Sequence, residues 1–134
     1  MPVLTHVFHP RKRSMKLAFT TSGENLDSPL DPSFGRARSF LIYDLATQAF
    51  EVISNQQNLN AAQGAGIQSA QTIVKAGAKA LITGHCGPKA FRVLDAAGVK
   101  VFNTDALTVA DALARYRAGQ LSEAAAANVE GHWA

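Results

Sequence analysis

The sequence predicts a three-layer α/β domain built on a five-stranded mixed sheet, and three observations carry that expectation. In the second half of the chain, short apolar runs at 80–83 and 99–103 alternate with segments of helical period. Such strand–helix–strand alternation requires right-handed crossovers and a mainly parallel sheet. Two further β-rich runs, 39–44 and 49–54, are separated by the short polar link Leu45-Ala46-Thr47-Gln48 and read as a hairpin that contributes one antiparallel strand. Finally, 134 residues with 47% hydrophobic content suffice for a single core and a single domain.

The first strand is expected over 16–21, where Leu17-Ala18-Phe19 is apolar and Ser22-Gly23 ends the run before a stable helix could form. Residues 24–38 contain Pro29, Pro32 and Gly35 with no periodicity, and predict a long loop of the kind that often carries function. After the hairpin, 55–63 is Asn/Gln-rich and reads as another loop. Gly64-Ala65-Gly66 then opens a helix over 65–76, with Ile67, Ala70, Ile73 and Val74 at helical spacing and Gly77 as its stop. The strand at 80–83 follows. Pro88, placed after Gly87, suits the first turn of a helix that buries Phe91 and Leu94 and stops at Gly98. The strand at 99–103 leads to Thr108, an N-cap for a helix over 109–118 that carries Val109, Leu113 and Tyr116 on one face. The expected organisation is a flexible basic extension over 1–14, a domain over 15–120 and a loosely held tail over 121–134.

Composition narrows the function classes. The net charge of +3 is local: Arg11, Lys12 and Arg13 precede Met15, so residues 15–134 hold the remaining ten basic residues against ten acids. A formally neutral domain lacks the basic face of a nucleic-acid binder, which makes a nucleic-acid partner unlikely on these grounds. One cysteine excludes an internal disulfide. No apolar run approaches the roughly 20 residues of a membrane span, and no signal-peptide pattern follows Met1, so a cytoplasmic, soluble chain is expected.

Six motifs in order resemble the dinitrogenase iron–molybdenum cofactor biosynthesis family. They are Met15-Lys16-Leu17-Ala18-Phe19, Leu26-Asp27-Ser28-Pro29 leading to Phe34-Gly35-Arg36-Ala37, Phe40-Leu41-Ile42-Tyr43-Asp44, Gly64-Ala65-Gly66-Ile67-Gln68, Ile82-Thr83-Gly84 with Gly87-Pro88-Lys89-Ala90-Phe91, and Ala97-Gly98-Val99-Lys100-Val101-Phe102. The resemblance implies a ribonuclease-H-like fold with sheet order 3-2-1-4-5 and strand 2 antiparallel. It also implies binding or transfer of a metal–sulfur cluster, iron–sulfur or molybdenum-containing, with cluster donor and acceptor proteins as partners. Relatives commonly carry His before Phe-Gly-Arg; here Ser33 stands in its place.

The candidate ligand stretch is Thr83-Gly84-His85-Cys86-Gly87-Pro88. Cys86 offers a thiolate, the soft ligand preferred by iron–sulfur and copper(I) sites, and His85 an auxiliary imidazole. Gly84 and Gly87 allow close approach of backbone N–H groups to an anion. The competing reading makes Cys86 a small buried residue and His85 an exposed loop residue. One thiol cannot complete a four-thiolate cluster in a monomer, so further contacts are expected from His85, cluster-borne sulfide, backbone amides or a second subunit; the loop holding Ser33, Phe34 and Gly35 can approach the same edge, Arg36 and Arg38 are candidate counter-charges, and Gly64 and Gly66 at a helix start offer N–H groups to an anion.

An enzyme is not expected. Nucleases of this architecture need clustered carboxylates, one of them on the first strand, and Leu17-Ala18-Phe19-Thr20-Thr21 has none. Adjacent His85 and Cys86 also lack a third, orienting group for nucleophile activation. The sequence therefore points to a cluster carrier, with a metal-free regulatory or protein-interaction module of the same fold as the alternative.

Overall fold

The apolar run Leu17-Ala18-Phe19 becomes an interior strand. In the computed structural model, which describes residues 15–59 and 65–124, β1 (Lys16–Thr21) belongs to one sheet with β2 (Ser39–Asp44), β3 (Phe50–Ser54), β4 (Ala78–Thr83), β5 (Lys100–Asn103) and β6 (Ser122–Glu123). The order is β3-β2-β1-β4-β5-β6. β1 pairs antiparallel with β2, Phe19 facing Leu41, and parallel with β4, Phe19 facing Ile82. β4 and β5 are parallel, Thr83 facing Asn103, and β3 is antiparallel to β2. Strands covered on both faces need continuous apolar runs, and β1, β2 and β4 supply them. The edge strand β3 is exposed or half-buried along its length.

The sheet has six strands, which corrects the expected five. β6 is two polar residues with no β pattern of its own, and it is held by pairing of Phe102 with Glu123 and Asn103 with Ser122. The Ala124 N–H also donates to the Val101 carbonyl at 2.7 Å. Residues 122–124, expected in a loose tail, are therefore fastened to the sheet. The Asn/Gln-rich stretch holds a further element, the single-turn helix α1 (Gln56–Leu59), too short to leave a periodic signature.

The helices are α2 (Ala65–Lys75), α3 (Pro88–Ala96) and α4 (Val109–Arg117). Ala70 and Ile73 of α2 and Ala90 and Leu94 of α3 pack with Ala18, Phe40, Ile42 and Leu81 on one face. Val109, Ala112 and Leu113 of α4 pack with Leu17, Phe19, Leu41 and Ile82 on the other, where Leu30 of the long loop completes the cover. Alternate residues of β1 and β2 thus feed separate cores, giving helix–sheet–helix layers. Thr108 caps α4 by accepting from the Asp111 N–H at 3.1 Å, and Gly77, Gly98 and Gly119 leave the helices at positive φ. Among the described residues no helix is long and apolar enough to cross a membrane.

The site follows from strand direction. β1, β3, β4 and β5 run the same way, so the loop at 22–38, the start of α2, the loop at 84–87 and the loop at 104–108 gather at one carboxyl edge of the sheet.

Candidate functional site

Two loops are laced together at this edge. The His85 N–H donates to the Pro32 carbonyl at 2.8 Å, and the Phe34 N–H donates to the His85 carbonyl at 3.2 Å, so Ser33 and His85 form a parallel bridge. Gly84 makes the approach possible: a Cβ there would lie 2.5 Å from the Pro32 carbonyl oxygen and 2.7 Å from Pro32 Cα. Asp31 shapes the incoming turn by accepting from the Ser33 N–H at 3.2 Å.

The laced loops and two helix starts enclose an open cavity of about 430 Å³. Ser33, Phe34, Gly35 and Arg36 form one wall; Ala65, Gly66 and Ile67, in the first turn of α2, form the second; His85, Gly87, Pro88, Lys89 and Ala90 form the third. Small residues bring these walls to backbone distance. A Cβ at Gly35 would stand 3.3 Å from Gly66 Cα, and one at Gly66 would stand 3.4 Å from Ala90 Cβ. Phe34, 1% exposed, anchors the first wall against Phe40, with ring centroids 5.5 Å apart.

The cavity has a definite electrostatic sign. Arg36 and Lys89 are its charged lining residues and both are exposed, His85 is a third nitrogen-bearing side chain, and among the described residues no carboxylate lines it. Two helices begin at its walls, and neither has an acidic residue in its first turn. Gly87, the N-cap of α3, has an extended backbone and supplies no side-chain cap, so the N-terminal N–H groups of this helix keep their positive end available. Cations, helix N-termini and apolar walls suit a large anion of low charge density, which is cheap to desolvate and makes good contact with apolar surface.

Most of the sequence-predicted residues meet here: Ser33, Phe34, Gly35, Arg36, Gly66, His85 and Gly87 all line the cavity. Gly84 does not; its role is the contact with Pro32. Gly64 lies outside the described residues. Arg38 is a correction, since it lines a different cleft. The chain leaves a turn at 35–36 and bends at Arg38 into β2, held there by Asn55, whose N–H donates to the Arg38 carbonyl and whose Nδ2 donates to the Ala37 carbonyl, each at 2.8 Å. Buried Ala37 separates Arg36 and Arg38, and the two side chains reach different cavities.

Cys86 is the second correction. It is 1% exposed and packs in the core with Phe34, Ala90 and Leu94; it is absent from the cavity wall. Burial pushes its thiol up to about 12, the opposite of an activated thiolate ligand. The reason is the lacing: bridged to Ser33, the backbone at His85 is strand-like, so neighbouring side chains diverge, with His85 outward and Cys86 inward. The competing reading of a small buried cysteine beside an exposed histidine is the one the structure favours. Among the described residues, no group of three or more His, Cys, Asp or Glu side chains is placed to hold a metal ion. Lys89 was missed as a site residue, although its position directly after Pro88, in the first turn of a helix, was a readable sign.

Fold and cavity together define a small α/β protein with a glycine-framed, cationic pocket at the carboxyl edge of its sheet. Residues 15–119 match the model of the dinitrogenase iron-molybdenum cofactor family, and the chain belongs to that family. It is similar to the orange protein from Desulfovibrio gigas, solved in its apo form, at 44% identity over 84% of this chain and 95% of that one, with a TM-score of 0.82. A NifB-like protein from Thermotoga, TM1290, is 35% identical over 81% of this chain and 92% of its own, with a TM-score of 0.73. The uncharacterized protein MJ0580 of Methanocaldococcus jannaschii is 29% identical over 97 residues, 70% of this chain and 81% of that protein.

Proposed function

We propose that this protein is a cytoplasmic carrier that binds an anionic metal–sulfur cluster, iron–molybdenum-cofactor-like or iron–sulfur, and hands it between donor and acceptor proteins during cofactor assembly. The observation that carries this reading is the cavity itself: about 430 Å³, open, walled by Arg36, Lys89 and two helix starts, with no carboxylate among the described residues. Family membership supports the nature of the cargo.

The residues present fit a preassembled cluster better than a bare metal ion. Cluster sulfides accept hydrogen bonds from backbone N–H groups and from guanidinium or ammonium donors, and such bonds are a principal way proteins hold and tune clusters. Gly87, where a Cβ would meet nothing within 4 Å, leaves room for close approach at the third wall. Ile67 and Pro88, both half-buried, give the polarizable sulfides an apolar surface. His85 stands at the wall as the auxiliary nitrogen ligand, while Cys86 is left in the core. Retention by shape and charge, without a thiolate bond, suits cargo that must be released. The function is binding and transfer, not turnover.

The test is anaerobic reconstitution with iron and sulfide, or with molybdate and sulfide, followed by absorption spectra and metal and sulfide analysis of the native protein and of Cys86→Ala. Equal uptake and matching spectra are expected from both. Loss of the chromophore in Cys86→Ala, with its fold intact by circular dichroism, would restore the cysteine as the ligand and overturn the charge-based reading. Failure of the native protein to take up any cluster would remove the carrier function.

A further inference from the structure

A second cleft, of about 510 Å³, opens at the same carboxyl edge on the opposite face of the sheet. Its walls come from the end of β1, the segment entering β2, and the end of β3: Glu24 and Arg38 face it with the hydroxyls of Ser22, Ser39 and Ser54. Val52, packed against the α4-side core, is its one aliphatic wall. The volume lies within the range of small-molecule sites, and the lining is far more polar than is usual for them.

The two charges are of opposite sign, and neither forms an ion pair among the described residues. Both side chains are exposed, so a direct pair between them would gain little, and a ligand inserted between them forfeits little. The Ser22 and Ser39 hydroxyls have no hydrogen bond among the described residues, and the Ser54 hydroxyl is engaged only as acceptor from the Gln56 N–H at 3.2 Å. Glu24 disfavours a second anionic cluster here, and Arg38 disfavours a simple cation. A zwitterion satisfies both.

We propose that this cleft binds a free α-amino acid with a short polar side chain. Its carboxylate lies on the planar fork of Arg38, a geometry suited to two parallel hydrogen bonds. Its ammonium lies on the Glu24 carboxylate, and its side chain meets the serine hydroxyls. The inference stands apart from the cluster reading, since the two cavities share no lining residue.

The test uses the full chain, isotope-labelled, titrated singly with the common L-amino acids, with acetate and methylammonium as half-ligands, and followed by amide chemical shifts. Saturable shifts at Ser22, Glu24, Ser39 and Ser54 are expected with L-serine or a similar short polar amino acid, with no comparable change at Gly66 or Lys89. Arg38→Gln and Glu24→Gln should each weaken binding at least tenfold, and each half-ligand should bind at least tenfold more weakly than the zwitterion; these two exposed side chains make no internal bond whose loss would unfold the protein. The proposal is overturned if no amino acid gives saturable shifts there, if acetate alone matches the best amino acid, or if binding survives both substitutions.

Discussion

Gly87→Asp separates the stability of the fold from the function of the cavity. Gly87 begins α3 with φ −72° and ψ 167°, values open to any residue, and no side chain caps the helix. A Cβ at this position meets nothing within 4 Å. An aspartate there can accept from the free N–H groups of the first turn, and replacing glycine by a good N-cap adds a few tenths of a kcal/mol. The negative charge at a helix N-terminus adds about 0.3–1 kcal/mol. For a domain of this size the sum corresponds to a rise in Tm of about 2–5 °C. The same carboxylate stands at the cavity wall. At about 5 Å from an anion it costs between about 1 and 3 kcal/mol per unit of ligand charge, for effective dielectric constants from bulk water down to a protein surface. Cluster affinity should therefore fall about five- to 150-fold while the protein becomes more stable. Thermal unfolding by circular dichroism and anaerobic equilibrium titration read the two effects on one sample. Unchanged affinity would show that the start of α3 does not face the ligand; a lowered Tm would show that Gly87 is not an open cap.

Three further outcomes follow from the same geometry. Gly84→Ala drives a Cβ into the Pro32 backbone and should cost about 1–3 kcal/mol in denaturant unfolding, with loss of the cavity wall; an unchanged midpoint would mean the laced loops are not under that constraint. The Asn55 side chain is fully buried, donates to the Ala37 carbonyl and accepts from the Ser69 hydroxyl at 3.1 Å, two bonds that alanine loses while its backbone N–H keeps the Arg38 carbonyl, so Asn55→Ala should destabilise by about 1–3 kcal/mol and broaden the amide signals of Gly35 and Arg36; native-like signals would refute the clamp. For Cys86, the folded state holds the thiol protonated up to about 12 while the unfolded chain ionises from 9.0. The folded state then binds more protons, so stability is intact below pH 9 and declines as pH rises above it. Cys86→Ala should flatten that decline, and thiol labelling of the native protein at pH 8 should be far slower than in denaturant.

The fold was legible where pattern and burial agree. Leu17-Ala18-Phe19 is apolar because β1 is covered on both faces, and Gly77, Gly98 and Gly119 mark helix ends because each adopts positive φ there. β6 was not legible: Ser122 and Glu123 become a strand only because β5 leaves its edge free, a tertiary cause with no local pattern. The cavity was legible as a set of loops, since strand direction sends 33–36, 66 and 85–87 to one edge. Individual side chains were less so. Nothing in Arg36-Ala37-Arg38 shows that Asn55 holds the Ala37 and Arg38 carbonyls and that the two arginines line different cavities. Likewise, the backbone lacing at His85 that turns Cys86 into the core depends on Pro32 and Phe34, some fifty residues earlier in the chain. Glycine-flanked loops can bend either way, and only their long-range hydrogen bonds decide which.

The most direct test of the carrier function is anomalous diffraction, at the metal edge, from crystals of the anaerobically reconstituted protein. Metal density is expected in the cavity between Arg36, Gly66 and Lys89, with backbone N–H groups of the helix starts toward the cluster and no metal bonded to Cys86 Sγ. Density bonded to that sulfur, or located anywhere other than this cavity, would contradict it.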